Sequence, residues 1–166
     1  NENIICTICR HELPLTYHYL NPDNEAMKKF YGKVTVEFCY TFIYFQKKGI
    51  VQEMIHNLKY RGHHEIGTLL GEWMAEDLKT LPISKSFDII IPVPLHKKRL
   101  RKRGYNQVTS FGKALSEKLE IPFNENLLHR IIYSKTQVRK SLLGRTDVKE
   151  NIFEAHRLHL YQVLSN

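Results

Sequence analysis

Phe87-Asp88-Ile89-Ile90-Ile91-Pro92-Val93-Pro94-Leu95, followed at once by His96-Lys97-Lys98-Arg99-Leu100-Arg101-Lys102-Arg103, is the stretch on which the fold turns. Its first half is an unbroken apolar run rather than an alternating one, which predicts a strand covered on both faces, as in a parallel sheet. Two prolines then end the pairing, because proline has no amide hydrogen to give a ladder. The next eight residues hold six Lys or Arg and read as a basic loop at the strand's carboxyl end. Beyond it, Asn106 is placed to cap a helix whose apolar stripe is Val108, Phe111, Ala114, Leu115 and Leu119, closed by Ile121-Pro122.

Working outward, Ile50, Val51, Met54, Ile55 and Leu58 recur at helical spacing and stop at Gly62. Ile66, Leu69, Leu70, Trp73, Met74 and Leu78 mark a second helix ending before Pro82. Trp73 and the methionines need no role beyond the core, since the helical period accounts for them. Residues 34–45 are rich in Val, Thr, Tyr, Phe and Ile and predict a long strand or strand pair, with Cys39 inside it as a small buried side chain. Residues 127–133 read as a further strand, 141–149 as a short helix, and the segment around Ile152-Phe153 as extended. Strand, loop, helix, strand is the order of an α/β sheet with right-handed crossovers. Residues 1–33, with Cys6-x-x-Cys9 and the turn Asn21-Pro22-Asp23-Asn24, form a short appendage to a domain spanning 34–166.

Composition sets the outer limits. The 166 residues suit one domain, and the formal charge of +8 makes nucleic acid, nucleotides, diphosphates and anionic lipid eligible partners. Three cysteines are too few and too odd in number for a secreted disulfide framework. No apolar run approaches the roughly 20 residues of a membrane span, and no signal peptide opens the chain, so a soluble cytoplasmic protein is expected.

In open α/β sheets the ligand lies where strand ends meet helix N-termini. Guanidinium groups of Arg101 and Arg103, the backbone around Gly104 and the neutral groups of Asn106 and Gln107 are therefore candidates to gather an anion, Arg by its planar fork and Gly104 by permitting close approach. For Asn106, helix capping and ligand contact are equal alternatives. Lys97, Lys98 and Lys102 read as solvated surface charges.

The string Asp88-Ile-Ile-Ile-Pro-Val-Pro-Leu-His96, with Arg101-Lys-Arg-Gly-Tyr-Asn-Gln107, resembles the signature of the ComF family, relatives of the type I phosphoribosyltransferases. Leu58-Lys59-Tyr60-Arg61-Gly62 upstream, and Lys135-Thr136-Gln137, Arg145 and Asn151-Ile152-Phe153 downstream, extend the resemblance over roughly residues 34–155. It implies a phosphoribosyltransferase-like parallel sheet flanked by helices and a site for 5-phosphoribosyl 1-diphosphate with Mg²⁺. It also implies a role in natural competence, in contact with single-stranded DNA and the competence helicase machinery. Lys59, Arg101, Arg103, Asn106, Gln107, Gln137 and Arg145 carry over as ligand-facing residues, and no residue is assigned a catalytic role. The alternative is an adaptor that tracks a single strand on its basic face, with Tyr60 and Tyr105 as stacking platforms.

Two departures stand out. Type I phosphoribosyltransferases hold the ribose 5-phosphate with an acidic pair followed by Thr-Thr-Gly, and no such string occurs here. The expectation is therefore a chain incomplete at its C-terminus, without transferase competence as given, and with an exposed sheet edge that invites self-association. ComF relatives also commonly begin with two Cys-x-x-Cys pairs around zinc. Here Cys6 and Cys9 form one pair, with His11 or His18 as further ligands or a second pair upstream in a longer parent.

Overall fold

The computed structural model describes residues 4–133 and 152–156. In chain order it runs through α1 (Thr7–His11), a 3₁₀ turn (His18–Leu20), α2 (Glu25–Lys28), α3 (Ile50–Tyr60), α4 (His64–Lys79) and a second 3₁₀ turn (Pro82–Ser86). It continues through α5 (Lys97–Arg103), α6 (Thr109–Leu119), β1 (Leu128–Arg130) and β2 (Phe153–Ala155). The architecture is mixed helix and strand, built mainly of helices.

Helices α3 and α4 form where the apolar spacing places them. Between them Gly62 takes a φ of 75°, a left-handed conformation that glycine adopts without steric penalty and that reverses the chain. Helix α4 is the central element and has two apolar ends. Ile66 joins Leu13, Val51 and Met54 in one buried cluster, while Ala75 and Leu78 join Leu115 of α6 in another. Leu69 between them is 2 % exposed; full burial of a leucine contributes about 1.5–3 kcal/mol.

The packing of α4 on α6 depends on glycines. A Cβ added at Gly71 would lie 2.5 Å from the Phe111 carbonyl oxygen and 2.9 Å from the Ala114 Cβ, and one at Gly112 would lie 2.5 Å from the Phe123 ring. The two backbones approach more closely than any side chain allows.

Four expectations need correction. Residues 34–45 form no strand. They run extended, joined to the chain by one antiparallel bridge, Leu15 to Ile43, and by bonds from Thr16 N to Phe42 O (3.1 Å) and from Tyr44 N to Pro14 O (2.9 Å). The Asn24 amide satisfies the Cys39 carbonyl at 2.8 Å. The aromatic side chains that suggested a strand instead cover helix, with Phe38 and Tyr40 packed on the Ala75, Leu78 and Leu115 cluster; β-propensity measures fit to a half-buried surface, which a helix can supply.

The basic segment is a helix rather than a loop. Lys and Arg are good helix formers, His96 Nδ1 accepts from the Lys98 amide at 3.2 Å as N-cap, and Gly104 ends the helix at φ 82° while its amide donates to Leu100 O at 2.7 Å. Three cations in its last turn complement the helix dipole.

The run 88–95 pairs through a single parallel bridge, Ile90 to Phe123. Ile90 N donates to Pro122 O at 2.8 Å and Asn124 N to Ile90 O at 3.0 Å. Ile91 and Val93 are 39 % and 60 % exposed, so among the described residues the segment is not covered on both faces. The sheet among the described residues is two-stranded and antiparallel, β1 with β2, with Leu128 opposite Ala155 and Arg130 opposite Phe153.

Finally, Asn106 does not cap α6, which begins at Thr109. The helix expected at 141–149 lies outside the described residues.

Replacing Gly71 by Val is expected to lower stability by about 2 kcal/mol, the usual cost of overpacking. The exposed neighbour substitution Thr68→Ala should stay within about 0.5 kcal/mol. Urea denaturation of both variants checks this, and equal midpoints would contradict the close approach of α4 and α6.

Candidate functional site

The Ile90–Phe123 bridge holds two extended segments side by side with α5 and α6 between them in sequence. Where these meet lies an open cleft of about 740 Å³ whose wall includes Lys97, Tyr105, Asn106, Ser110, Lys113 and Glu125. Lys97 comes from the first turn of α5, Ser110 and Lys113 from successive turns of α6, and Glu125 follows the bridged segment.

Tyr105 is fixed at both ends. Its hydroxyl donates to the Leu58 carbonyl on α3, and its ring lies 4.0 Å from the His64 imidazole at an interplanar angle of 59°. The turn that carries it is thereby tied to the junction of α3 and α4.

Asn106 Nδ2 donates to the Val93 carbonyl at 3.0 Å, satisfying the backbone between the two prolines. Its Oδ1 is buried and has no partner among the described residues, and the same holds for Ser110 Oγ. The serine hydroxyl is pressed toward α4, since it sits 2.2 Å from where a Cβ on Gly67 would be. A buried acceptor without a donor costs about 1–3 kcal/mol. Asn106 lines the cleft, and its buried Oδ1 is an acceptor left without a donor there.

The residues singled out from sequence divide. Gly104 and Asn106 line the cleft. Arg103 turns away from it: Nη1 donates to Gln107 Oε1 at 2.8 Å, Nη2 to the Tyr60 hydroxyl at 3.4 Å, and the guanidinium lies 5.1 Å from the Tyr60 ring centroid. Gln107 gives its Oε1 to that bond and is not on the cleft wall. Arg101 is exposed on α5 and Lys59 half-buried near the end of α3, neither on the cleft wall. Gln137 and Arg145 fall outside the described residues.

Sequence reasoning missed His64, Lys113 and Glu125 and read Lys97 as a surface charge. The spacing of Ser110 and Lys113, three residues apart, does place these on one face of α6, a signal available in the sequence.

The cleft's cations, Lys97 and Lys113, face one carboxylate, Glu125, whose nearest hydrogen-bond partner is Thr109 Oγ1 at 3.5 Å. This balance favours an anion. A second basic surface lies on α5 itself, where Lys98 and Arg99 each stand 5.9 Å from the exposed Tyr133 ring and Arg103 covers the exposed Tyr60.

Compared with known proteins, the chain is 31 % identical over 103 residues to Competence protein F of Haemophilus influenzae, a match covering 60 % of this chain and 45 % of that protein. The chain thus spans just under half the length of this curated relative. No family model matches the chain, and no solved structure does. Among the described residues no helix is long and apolar enough to cross a membrane.

The Cys6-x-x-Cys9 pair begins α1. Cys6 is its N-cap, and its sulfur accepts from the Cys9 amide at 3.4 Å. His18 is committed elsewhere: Nδ1 pairs with Thr41 Oγ1 at 2.6 Å and Nε2 with the Tyr44 hydroxyl at 3.3 Å. No group of three or more His, Cys, Asp or Glu suited to a metal occurs among the described residues. Two thiols do not fill the four positions of structural zinc, so these residues alone do not fit that ion.

Hydrogen bonds from Cys9 lower the Cys6 pKa, while the bond its thiol gives Cys6 raises that of Cys9. Below both values Cys6 therefore carries the larger thiolate fraction and is the better nucleophile. Brief treatment with iodoacetamide near neutral pH should alkylate Cys6 ahead of Cys9 by peptide mass mapping; equal labelling would contradict the assigned bond direction.

Proposed function

We propose that this chain acts in natural competence as a ComF-like, phosphoribosyltransferase-type domain whose cleft binds a ribose phosphate or diphosphate. The likeness to Competence protein F supports the biological setting. The observation that carries the ligand class is the cleft itself, which Lys97 and Lys113 line together with Asn106, whose Oδ1 is unpaired. Phosphate oxygens accept and cannot satisfy Asn106 Oδ1, whereas a sugar hydroxyl can. Two ammonium groups beside one buried acceptor suit a molecule carrying both phosphate and hydroxyl groups. In this reading Lys97 and Lys113 hold the phosphates, Asn106 orients the sugar, and the Tyr105–His64 pair forms the rigid wall against which it rests.

A ligand-borne Mg²⁺ is compatible with this site. Glu125 is the carboxylate that would meet it, and magnesium bound with phosphates needs only one or two protein carboxylates. The proposal is for binding: these 166 residues contain no acidic pair followed by Thr-Thr-Gly to cradle the 5-phosphate, so no transfer step is assigned. The same reading places the protein on the cytoplasmic side, where imported single strands and the competence helicase machinery are the expected partners.

A second reading, a single-strand-binding adaptor, is favoured by the other basic surface. Exposed Tyr60 and Tyr133, each beside cations of α5, offer π faces next to charge. The two readings use different side chains and are separable.

In calorimetric titrations with 5-phosphoribosyl 1-diphosphate and Mg²⁺, Lys97→Ala with Lys113→Ala should weaken binding at least about tenfold, as expected for lost charge-assisted hydrogen bonds. Arg101→Ala with Arg103→Ala should leave it within about threefold, because those side chains do not line the cleft. Absence of heat from the unaltered protein at millimolar ligand would reject the proposal. For oligo-dT, the arginine pair should dominate instead and reduce the slope of log K against log salt by about 1.4; an unchanged slope would count against the adaptor reading.

A further inference from the structure

Between the N-terminal segment and α4 lies a second pocket, of about 380 Å³, which shares no wall residue with the phosphate cleft. Its wall joins the rings of Tyr17, Phe42 and Trp73 with the carboxylates of Glu76 and Asp77, and Arg10 enters it from α1. The Arg10 guanidinium carbon sits 4.6 Å from the Trp73 ring centroid, within the range of cation–π attraction. One side of this pocket therefore already holds a guanidinium against an aromatic face, next to two acids one residue apart on α4.

From this arrangement we infer that the pocket is a receptor for an organic cation, a guanidinium or primary ammonium on an alkyl stem, and that Arg10 is a tethered occupant of its seat. Aromatic faces attract cations through the ring quadrupole, tryptophan most strongly, and carboxylates beside them add direction. Glu76 is bonded to Lys79 at 2.9 Å, and Asp77 accepts the Tyr40 hydroxyl at 2.5 Å. Burial, and then its bond to Asp77, raise the Tyr40 pKa far above the usual phenol range, so Tyr40 remains a neutral donor and leaves the charge of Asp77 uncancelled.

Arg10 is exposed in the last turn of a five-residue helix, so the seat can be vacated without disturbing the core. Once it is vacated, the wall keeps the carboxylates of Glu76 and Asp77 and, among the described residues, no Lys or Arg. The volume lies within the range of small-molecule sites and exceeds what one guanidinium fills, leaving room for the stem. None of this depends on the phosphate-binding reading.

Trp73 is the chain's single tryptophan, so its fluorescence reports occupancy of the pocket directly. The folded protein and its Arg10→Ala variant are titrated with three probes: end-blocked Gly-Arg-Gly, spermidine, and the neutral isostere Gly-citrulline-Gly. The expected result is a saturable change with a cation and none with citrulline, with affinity about two- to fivefold higher in Arg10→Ala. In the Arg10→Ala background, Glu76→Gln with Asp77→Asn should weaken the response. Tighter binding of the tripeptide identifies a polypeptide arginine as the source, and tighter binding of spermidine a free polyamine. The inference is overturned if neither cation gives saturation up to about 10 mM in either protein, or if the citrulline peptide binds as well as the arginine one. Should Arg10→Ala melt far below the parent, the same titrations on the unaltered protein decide the matter.

Discussion

The close approach of α4 and α6 is the constraint on which the rest depends. It exists because Gly67 and Gly71 of α4 leave room for the Phe111 backbone and for Ser110, while Gly112 of α6 leaves room for the Phe123 ring. With α6 seated there, its N-terminal turns bring Ser110 and Lys113 to the cleft, while Phe123, packed against Gly112, aligns the segment that bridges Ile90. A bulkier residue at Gly67 or Gly71 would lift α6 and move the cleft wall with it, and one at Gly112 would displace Phe123 and the parallel bridge. The scaffold thus trades the helix propensity of two positions, about 1 kcal/mol each, for a fixed distance between two backbones.

Charge is arranged on this scaffold in two tiers. Seven successive residues of α5 include six cations, an arrangement whose mutual repulsion is eased by the helix dipole, by Tyr60 beneath Arg103 and by Tyr133 beside Lys98 and Arg99. The cleft receives the first of these cations, Lys97, and takes its second, Lys113, from α6. Helix α5 thereby separates a concave site with a buried acceptor from a face of cations set beside aromatic rings. Concavity is the general feature of small-ligand sites, whereas rings beside cations are the general feature of single-strand tracks. Reading the basic run as one loop merged these two surfaces.

How much of this the sequence disclosed follows from which forces act locally. Helices α3, α4 and α6 were legible because their apolar faces repeat at the helical period, and β1 and β2 fall within the segments at 127–133 and around Ile152-Phe153 where extended chain was expected. Helix α5 was not, because it carries a single apolar residue, Leu100, and owes its existence to propensity and to caps at His96 and Gly104 that periodicity does not detect. Residues 34–45 misled for the opposite reason: their β-branched and aromatic content describes a surface that packs, and the partner turned out to be helical. At the site, Arg103 and Gln107 stand four residues apart and bond one another, while Lys97 and Lys113 acquire their position only through tertiary packing. Residue type marked the neighbourhood correctly, but the direction of each side chain is a property of the assembled helices.

Asn106 shows how fold and site are coupled. The sequence leaves it equally suited to capping a helix or touching a ligand, and it does not cap. Its amide nitrogen serves the Val93 carbonyl, a backbone acceptor in the extended stretch between Pro92 and Pro94. That bond orients the amide, and its oxygen is left buried without a donor. A residue chosen only for stability would avoid this: a side chain offering a donor without a buried acceptor would satisfy Val93 at no such cost, which is about 1–3 kcal/mol. Retaining the unpaired oxygen is reasonable if a bound molecule regularly supplies the missing donor, because the same free energy then reappears as affinity and as discrimination against molecules that lack a hydroxyl. The amide of Asn106 thus ties the Pro92–Pro94 stretch to the turn that leads into α6, with one end committed to the fold and the other unpaired.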